Sequence, residues 1–200
     1  MFPLYFYGMA IIAILYILFD LNYFLNCFFL IYWGRLFGRK KKLLDTVTFY
    51  GICTTQDIDI VFIHMNNARY LREADFARYY YFDRSGLYAT ITKKNGTIIQ
   101  TASIVRYRRA ISIFMPYKII TKLIYWDDRH FYMEQQFIGL KNNFIYAIIL
   151  NRQTIIGSET PIEDIIANIE PKTCKPKPTK EFELWMETIK ESSQNLRNQG

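Results

Sequence analysis

The run His64-Met65-Asn66-Asn67 holds an imidazole and two side-chain amides within four residues, and two acids, Asp57 and Asp59, stand just before it. Groups of this kind suit chemistry at a carbonyl. A carboxylate can activate water or attack carbon, and N–H donors stabilise the oxyanion that develops. Asp59 is the leading candidate for base or nucleophile, with Asp57 second; the competing reading makes both acids turn or capping residues. His64 and Asn66 are the candidate oxyanion donors, and Asn67 fits local helix capping equally well.

These groups need an element to aim them. From Ala68 to Phe82, Leu71, Ala74, Ala77 and Tyr81 recur at intervals of three or four, with Arg72, Glu73 and Arg78 between them. That spacing predicts a helix. A polar loop feeding a helix places its side chains at a helix N-terminus, where backbone N–H groups already favour carbonyl or anionic oxygens. Arg72 and Glu73 are neighbours and do not face each other, and Glu73 reads as structural. The small alanines let such a helix lie close to whatever surrounds it.

Strands are expected on either side. Leu43 to Thr55 reads as a first strand, and Ile98–Ala110, Ile113–Tyr125, His130–Leu140 and Phe144–Ile156 as four more in hairpin succession. Trp126-Asp127-Asp128-Arg129 has the polar pair of a tight turn. Pro161 to Ile169 reads as a short helix opened by proline and two acids. A Lys/Pro linker, residues 171–180, precedes a final amphipathic helix from Glu181 to Leu196 carrying Phe182, Trp185 and Ile189. One long helix with an antiparallel sheet is an α+β architecture.

The N-terminus differs from the rest. Residues 3–19 contain no charged side chain, and apolar residues resume after Asp20 as far as Trp33. A bilayer core takes about 20 apolar residues in a helix, so residues 1–33 are expected to form a transmembrane anchor. Cleavage of this segment as a signal peptide, followed by secretion, is the competing reading; no basic residue precedes the run and no Ala-x-Ala follows it. Residues 34–42 form a basic juxtamembrane segment containing Arg35, Arg39 and Lys40 to Lys42. The positive-inside rule then places residues 43–200 in the cytosol. The net charge of +7 on 200 residues is concentrated there, which points to a membrane surface and not to nucleic acid. The three cysteines, Cys27, Cys53 and Cys174, have no framework spacing and suit a reducing compartment. His130 has no ligand partners nearby in sequence, so no metal site is expected.

The element order, the segment from His64 to Arg78, Tyr107-Arg108-Arg109 and Trp126-Asp-Asp-Arg129 together resemble the hotdog-fold thioesterases related to 4-hydroxybenzoyl-CoA thioesterase. The resemblance covers nearly the whole chain. It implies a curved antiparallel sheet wrapped around the central helix over residues 43–158, with residues 159–200 as accessory helices and linker. It also implies a homodimer with the site between subunits. Relatives with the Asp-x-Asp and His-x-Asn-Asn pattern match at Asp57, Asp59, His64, Asn66, Asn67 and Tyr70. Asp75 falls where many relatives carry a helix glutamate, which makes it the second candidate catalytic acid. The chain departs from the pattern at Ile63, where glycine is usual, and by one extra residue between Asp59 and His64.

The resemblance implies hydrolysis of a fatty acyl-CoA or similar thioester at the endoplasmic reticulum membrane, with a role in lipid metabolism. Coenzyme A enters only as part of the substrate, and no separate cofactor is expected. Asp59, His64, Asn66 and Asp75 would serve catalysis. Asn67, Tyr70, Arg106 and Arg108 would contact the substrate, the arginines through phosphates. Tyr70 as a core residue and the arginines at a solvent-facing strand end are the competing readings. The alternative function is a hotdog module that binds acyl lipid or a protein at the membrane and hydrolyses nothing.

Overall fold

The computed structural model describes residues 4–61 and 63–198; Met1 to Pro3 of the expected anchor, Phe62 of the polar loop and the last two residues lie outside the described residues. The chain divides into two compact units, residues 1–39 and residues 40–200.

The first unit is two helices, α1 (Leu4–Leu18) and α2 (Leu21–Phe37). This corrects the expectation of one spanning helix. Asp20 does not ride through a continuous helix; it caps a new one, its Oδ1 accepting from Tyr23 N–H at 3.1 Å. At 1.5 Å per residue the two helices are about 22 and 25 Å long, short of a hydrocarbon core of about 30 Å. Among the described residues no helix is long and apolar enough to cross a membrane. Apolar side chains nevertheless face outward all round: Tyr5, Phe6 and Tyr7 are each exposed, and consecutive helical positions cannot share a face.

The second unit is a five-stranded antiparallel sheet with helices on both faces. Its elements are β1 (Val47–Ile52), α3 (Asn67–Ser85), α4 (Leu87–Lys93), β2 (Thr97–Tyr107), β3 (Pro116–Trp126), β4 (His130–Gly139), β5 (Ile145–Ile156), α5 (Ile162–Ile169) and α6 (Lys180–Arg197). The strand order is β1-β3-β4-β5-β2. The expected hairpin succession holds for β3, β4 and β5 only. β2 does not pair with β3; it crosses to the far edge and pairs with β5 from Thr97↔Ile156 to Tyr107↔Ala147. A shift in this register between Gln100 and Ala102 turns the strand over. Ile98 consequently packs in the inner core and Ala102 in the outer cluster, although simple alternation puts both on one face. Asp127 closes the β3–β4 turn as expected, its Oδ1 accepting from Arg129 and His130 N–H.

Helix α3 begins where the Asn66 side chain caps Ala68 N–H at 2.9 Å and ends at Gly86 in the left-handed region, φ 79°, the usual stop for a helix. It lies on the inner face of the sheet. One apolar cluster gathers at its C-terminal end around Tyr81, Phe82, Trp126 and Phe131, and another at its start around Tyr70, Ala74, Tyr117 and Phe137. A buried polar ladder crosses the sheet beneath the helix: Gln135 donates to the Ala74 carbonyl at 2.7 Å, Asn151 to Gln135 at 2.9 Å, and Gln153 to Asn151 at 2.8 Å. Each link satisfies a group that would be costly to bury alone, and the first fixes α3 to the sheet next to Glu73. On the opposite face Tyr132, Phe182 and Trp185 seat α6.

Candidate active site

The polar loop folds into a short hairpin. Asp59 N–H donates to the His64 carbonyl at 2.9 Å and Asn66 N–H to the Asp57 carbonyl at 2.7 Å, while Ile58 bridges Met65 and His64 bridges Ser112. At the hairpin tip Ile60, Val61 and Ile63 are exposed.

Asp57 is wholly committed to structure. Its Oδ2 accepts from Thr54 N–H and Thr54 Oγ1, both at 2.8 Å, and its Oδ1 from Arg69 Nε at 2.9 Å and Nη2 at 2.7 Å. The carboxylate is 4 % exposed and ties the end of β1 to the first turn of α3. Asp59 is different. Its Oδ2 lies 3.5 Å from His64 Nε2, within ion-pair range but beyond a normal hydrogen bond. Its Oδ1 is buried with no hydrogen-bond partner among the described residues. A buried carboxylate oxygen without a donor is costly and open to a donor brought by a ligand. The His64 Nδ1 lies 3.3 Å from the Met65 carbonyl. If Nδ1 carries the proton there, the Nε2 contact with Asp59 is attractive only for the imidazolium.

The other predicted residues separate. Asn66 spends its side-chain oxygen on the helix cap, and Asn67 gives its carbonyl to Tyr107 Oη at 2.9 Å. Tyr70 is buried, its hydroxyl accepting from Ile111 N–H at 3.0 Å and its ring packed on Tyr107 and Phe137. Asp75 lies on the β2 side of α3, paired with Arg78, whose Nη1 reaches Gln100 at 2.7 Å. Arg106 is exposed on β2. Arg108 and Arg109 both stack over Phe144, at 4.7 and 4.6 Å.

The structure brings forward a carboxylate that periodicity alone passed over. Glu73 shares a helix face with Tyr70 and Ala77, and its Oε2 accepts from Tyr117 Oη at 2.9 Å. Burial raises the Glu73 pKa above the ordinary glutamate value; the Tyr117 bond pulls it down, Asp57 pushes it up, and Arg69 and Arg72 lower it. Tyr117 is itself buried on β3, and Gly51 on β1 makes room for it: a Cβ at residue 51 would lie 2.6 Å from the tyrosine ring. Cys53 is adjacent, its thiol pushed up to about 11 by burial and then by Asp57 and Glu73, so it is a neutral wall and no nucleophile at neutral pH. In the sequence Glu73 stands between the apolar positions Leu71 and Ala74. Its tyrosine partner lies 44 residues further on.

Two acids thus flank the start of α3. Glu73 is half-buried and hydrogen-bonded, and Asp59 has one buried oxygen with no donor among the described residues. A raised pKa and an unsatisfied oxygen are marks of a functional carboxylate.

The chain is similar to known proteins in sequence and in fold. A family model described as the thioesterase-like superfamily matches residues 53–183. The chain is 47% identical to Protein THEM6 of Drosophila melanogaster over 189 residues, 94% of this chain and 97% of that protein. Among solved structures, a 1,4-dihydroxy-2-naphthoyl-CoA thioesterase from Synechocystis superposes with a TM-score of 0.55 at 9% identity, covering 66% of this chain and 100% of the other. SAV2348 from Staphylococcus aureus, solved in complex with CoA, superposes with a TM-score of 0.53 at 11% identity, covering 70% and 94%. At such identities the structures show a shared fold.

Proposed function

The chain belongs to the thioesterase-like superfamily, and from that premise we propose that it takes fatty acyl-coenzyme A or a similar acyl thioester and hydrolyses it. The observation that supports this reading is the half-buried Glu73 carboxylate, held by Tyr117 in the second turn of the central helix within the matched region. Glu73 takes a proton from water as the water oxygen attacks the thioester carbon. The carbonyl oxygen carries the negative charge of the tetrahedral intermediate. Its collapse breaks the carbon–sulfur bond and returns the proton to the departing thiolate. Tyr117 orients the carboxylate through its hydroxyl. Arg106, Arg108 and Arg109 supply the positive charge that coenzyme A phosphates need.

β2 is paired on one side only among the described strands, and Ile99, Ile104 and Tyr107 along it are exposed. An eleven-residue open edge favours self-association, and we assign it to pairing with β2 of a second copy. Light scattering of the full chain in detergent is expected to give a protein mass of two chains; a single-chain mass contradicts this. The apolar side chains exposed on all sides of α1 and α2 support membrane attachment of the first unit. In that arrangement the second unit stays on the cytosolic side, at the endoplasmic reticulum in this reading.

A panel of acyl-CoAs of increasing chain length, assayed for free thiol with the full chain, tests the proposal. Release rising with chain length is the expected result. Tight binding of acyl-CoA with no thiol released would favour the non-catalytic alternative.

A further inference from the structure

Behind the basic segment lies a groove of about 520 Å³ lined by Lys40, Lys41 and Lys42, by Arg84 and Gly86 at the end of α3, and by Glu170 after α5. The backbone that carries the lysines is fixed along it. Lys41 N–H donates to the Arg84 carbonyl at 3.0 Å, and Leu43 N–H to Glu170 Oε2 at 3.2 Å. Lys42 and Asp45 close a turn through two bonds of 3.1 Å, and the Tyr81 hydroxyl donates to the Leu43 carbonyl. The acids at the groove are already engaged, Asp83 with Arg84 and Glu170 with Leu43. Among the described residues none of the three lysine ammonium groups has an ion-pair partner. Four cations, Lys40, Lys41, Lys42 and Arg84, therefore line a groove whose acids are Asp83 and Glu170, an excess of two positive charges.

We propose that this groove binds the phosphate-bearing headgroup of an anionic membrane lipid. Phosphate is the counter-charge that clustered ammonium groups recognise. The lipid source follows from the chain. Lys40 is three residues beyond Phe37, the last residue of α2, and three residues span at most about 10 Å. If α2 ends at a membrane surface, this tether keeps Lys40 within about 10 Å of it. The inference rests on the membrane reading above and adds a defined headgroup site to it.

The test uses the full chain and vesicle flotation. The vesicles are pure phosphatidylcholine, or phosphatidylcholine carrying a fifth of phosphatidylinositol 4-phosphate. The wild type is expected to float with both, and about 100-fold more tightly with the anionic vesicles, from roughly a fivefold gain per lysine. A variant with Lys40→Gln, Lys41→Gln and Lys42→Gln is expected to keep binding to neutral vesicles and lose the gain. A control with Lys94→Gln, Lys141→Gln and Lys190→Gln, which sheds equal charge elsewhere, is expected to retain it. Equal loss in both triple variants, or no gain for the wild type, overturns the groove and leaves membrane attachment intact. No flotation with any vesicle overturns both. Binding of free inositol 1,4-bisphosphate as tightly as the vesicles overturns the lipid source.

Discussion

Replacing Asp57 with alanine lowers the unfolding free energy by about 3–5 kcal/mol, the range for removing one partner of a buried ion pair. The change strips four hydrogen bonds from the Thr54 and Arg69 donors and leaves the Arg69 guanidinium without its carboxylate. Asp59→Ala behaves in the opposite way. Its Oδ1 is a buried acceptor with no donor among the described residues, so removing it leaves stability unchanged or raises it by about 1 kcal/mol while thiol release falls. Paired denaturant melts and rate assays on the two variants separate the roles. Equal destabilisation by both would show that the hairpin acids are interchangeable supports and remove Asp59 from the chemistry.

Glu73→Gln carries the largest expected effect on activity. Loss of a positioned base costs 10²–10⁴-fold in rate, and the amide keeps the volume and can still accept from Tyr117. Stability moves the other way. Burial raises the Glu73 pKa in the folded state, so the folded protein holds the proton more tightly than the unfolded chain does. The ionised carboxylate therefore costs stability above the folded-state pKa, and that cost shrinks as pH falls through it and is gone below the unfolded-chain value. Glutamine removes the cost. The variant is expected to be more stable than wild type at pH 8, by about 1 kcal/mol, with the advantage shrinking toward pH 4. A variant that loses activity and stability together at pH 8 would make Glu73 a packing residue.

How far these roles could be seen in the sequence depended on whether the determinant was local. Helix α3 was legible because its apolar spacing is local, although the cap falls to Asn66, read as an oxyanion donor, and not to Asn67. The strands of the β3–β4–β5 meander were legible for the same reason. The crossing of β2 to the far edge was not, since its partner β5 is chosen by non-local pairing and hidden further by the shift at Thr101. Helix α4, seven residues long, is too short for a periodic pattern to register. The break at Asp20 came down to one carboxylate in an apolar run, whose capping bond a hydropathy reading does not weigh. Within the site, Asp59 and His64 could be named because they neighbour each other in the chain. The role of Glu73 comes from Tyr117 and Gly51, brought to it by β1 and β3, and no spacing rule links those three positions.

The pH dependence of kcat/KM for fatty acyl-CoA hydrolysis by the full chain bears most directly on the half-buried Glu73 carboxylate. The acid limb is expected to have its midpoint above the ordinary glutamate pKa, and to vanish from the residual activity of Glu73→Gln. An acid limb at the ordinary carboxylate position that persists unchanged in Glu73→Gln would contradict the assignment.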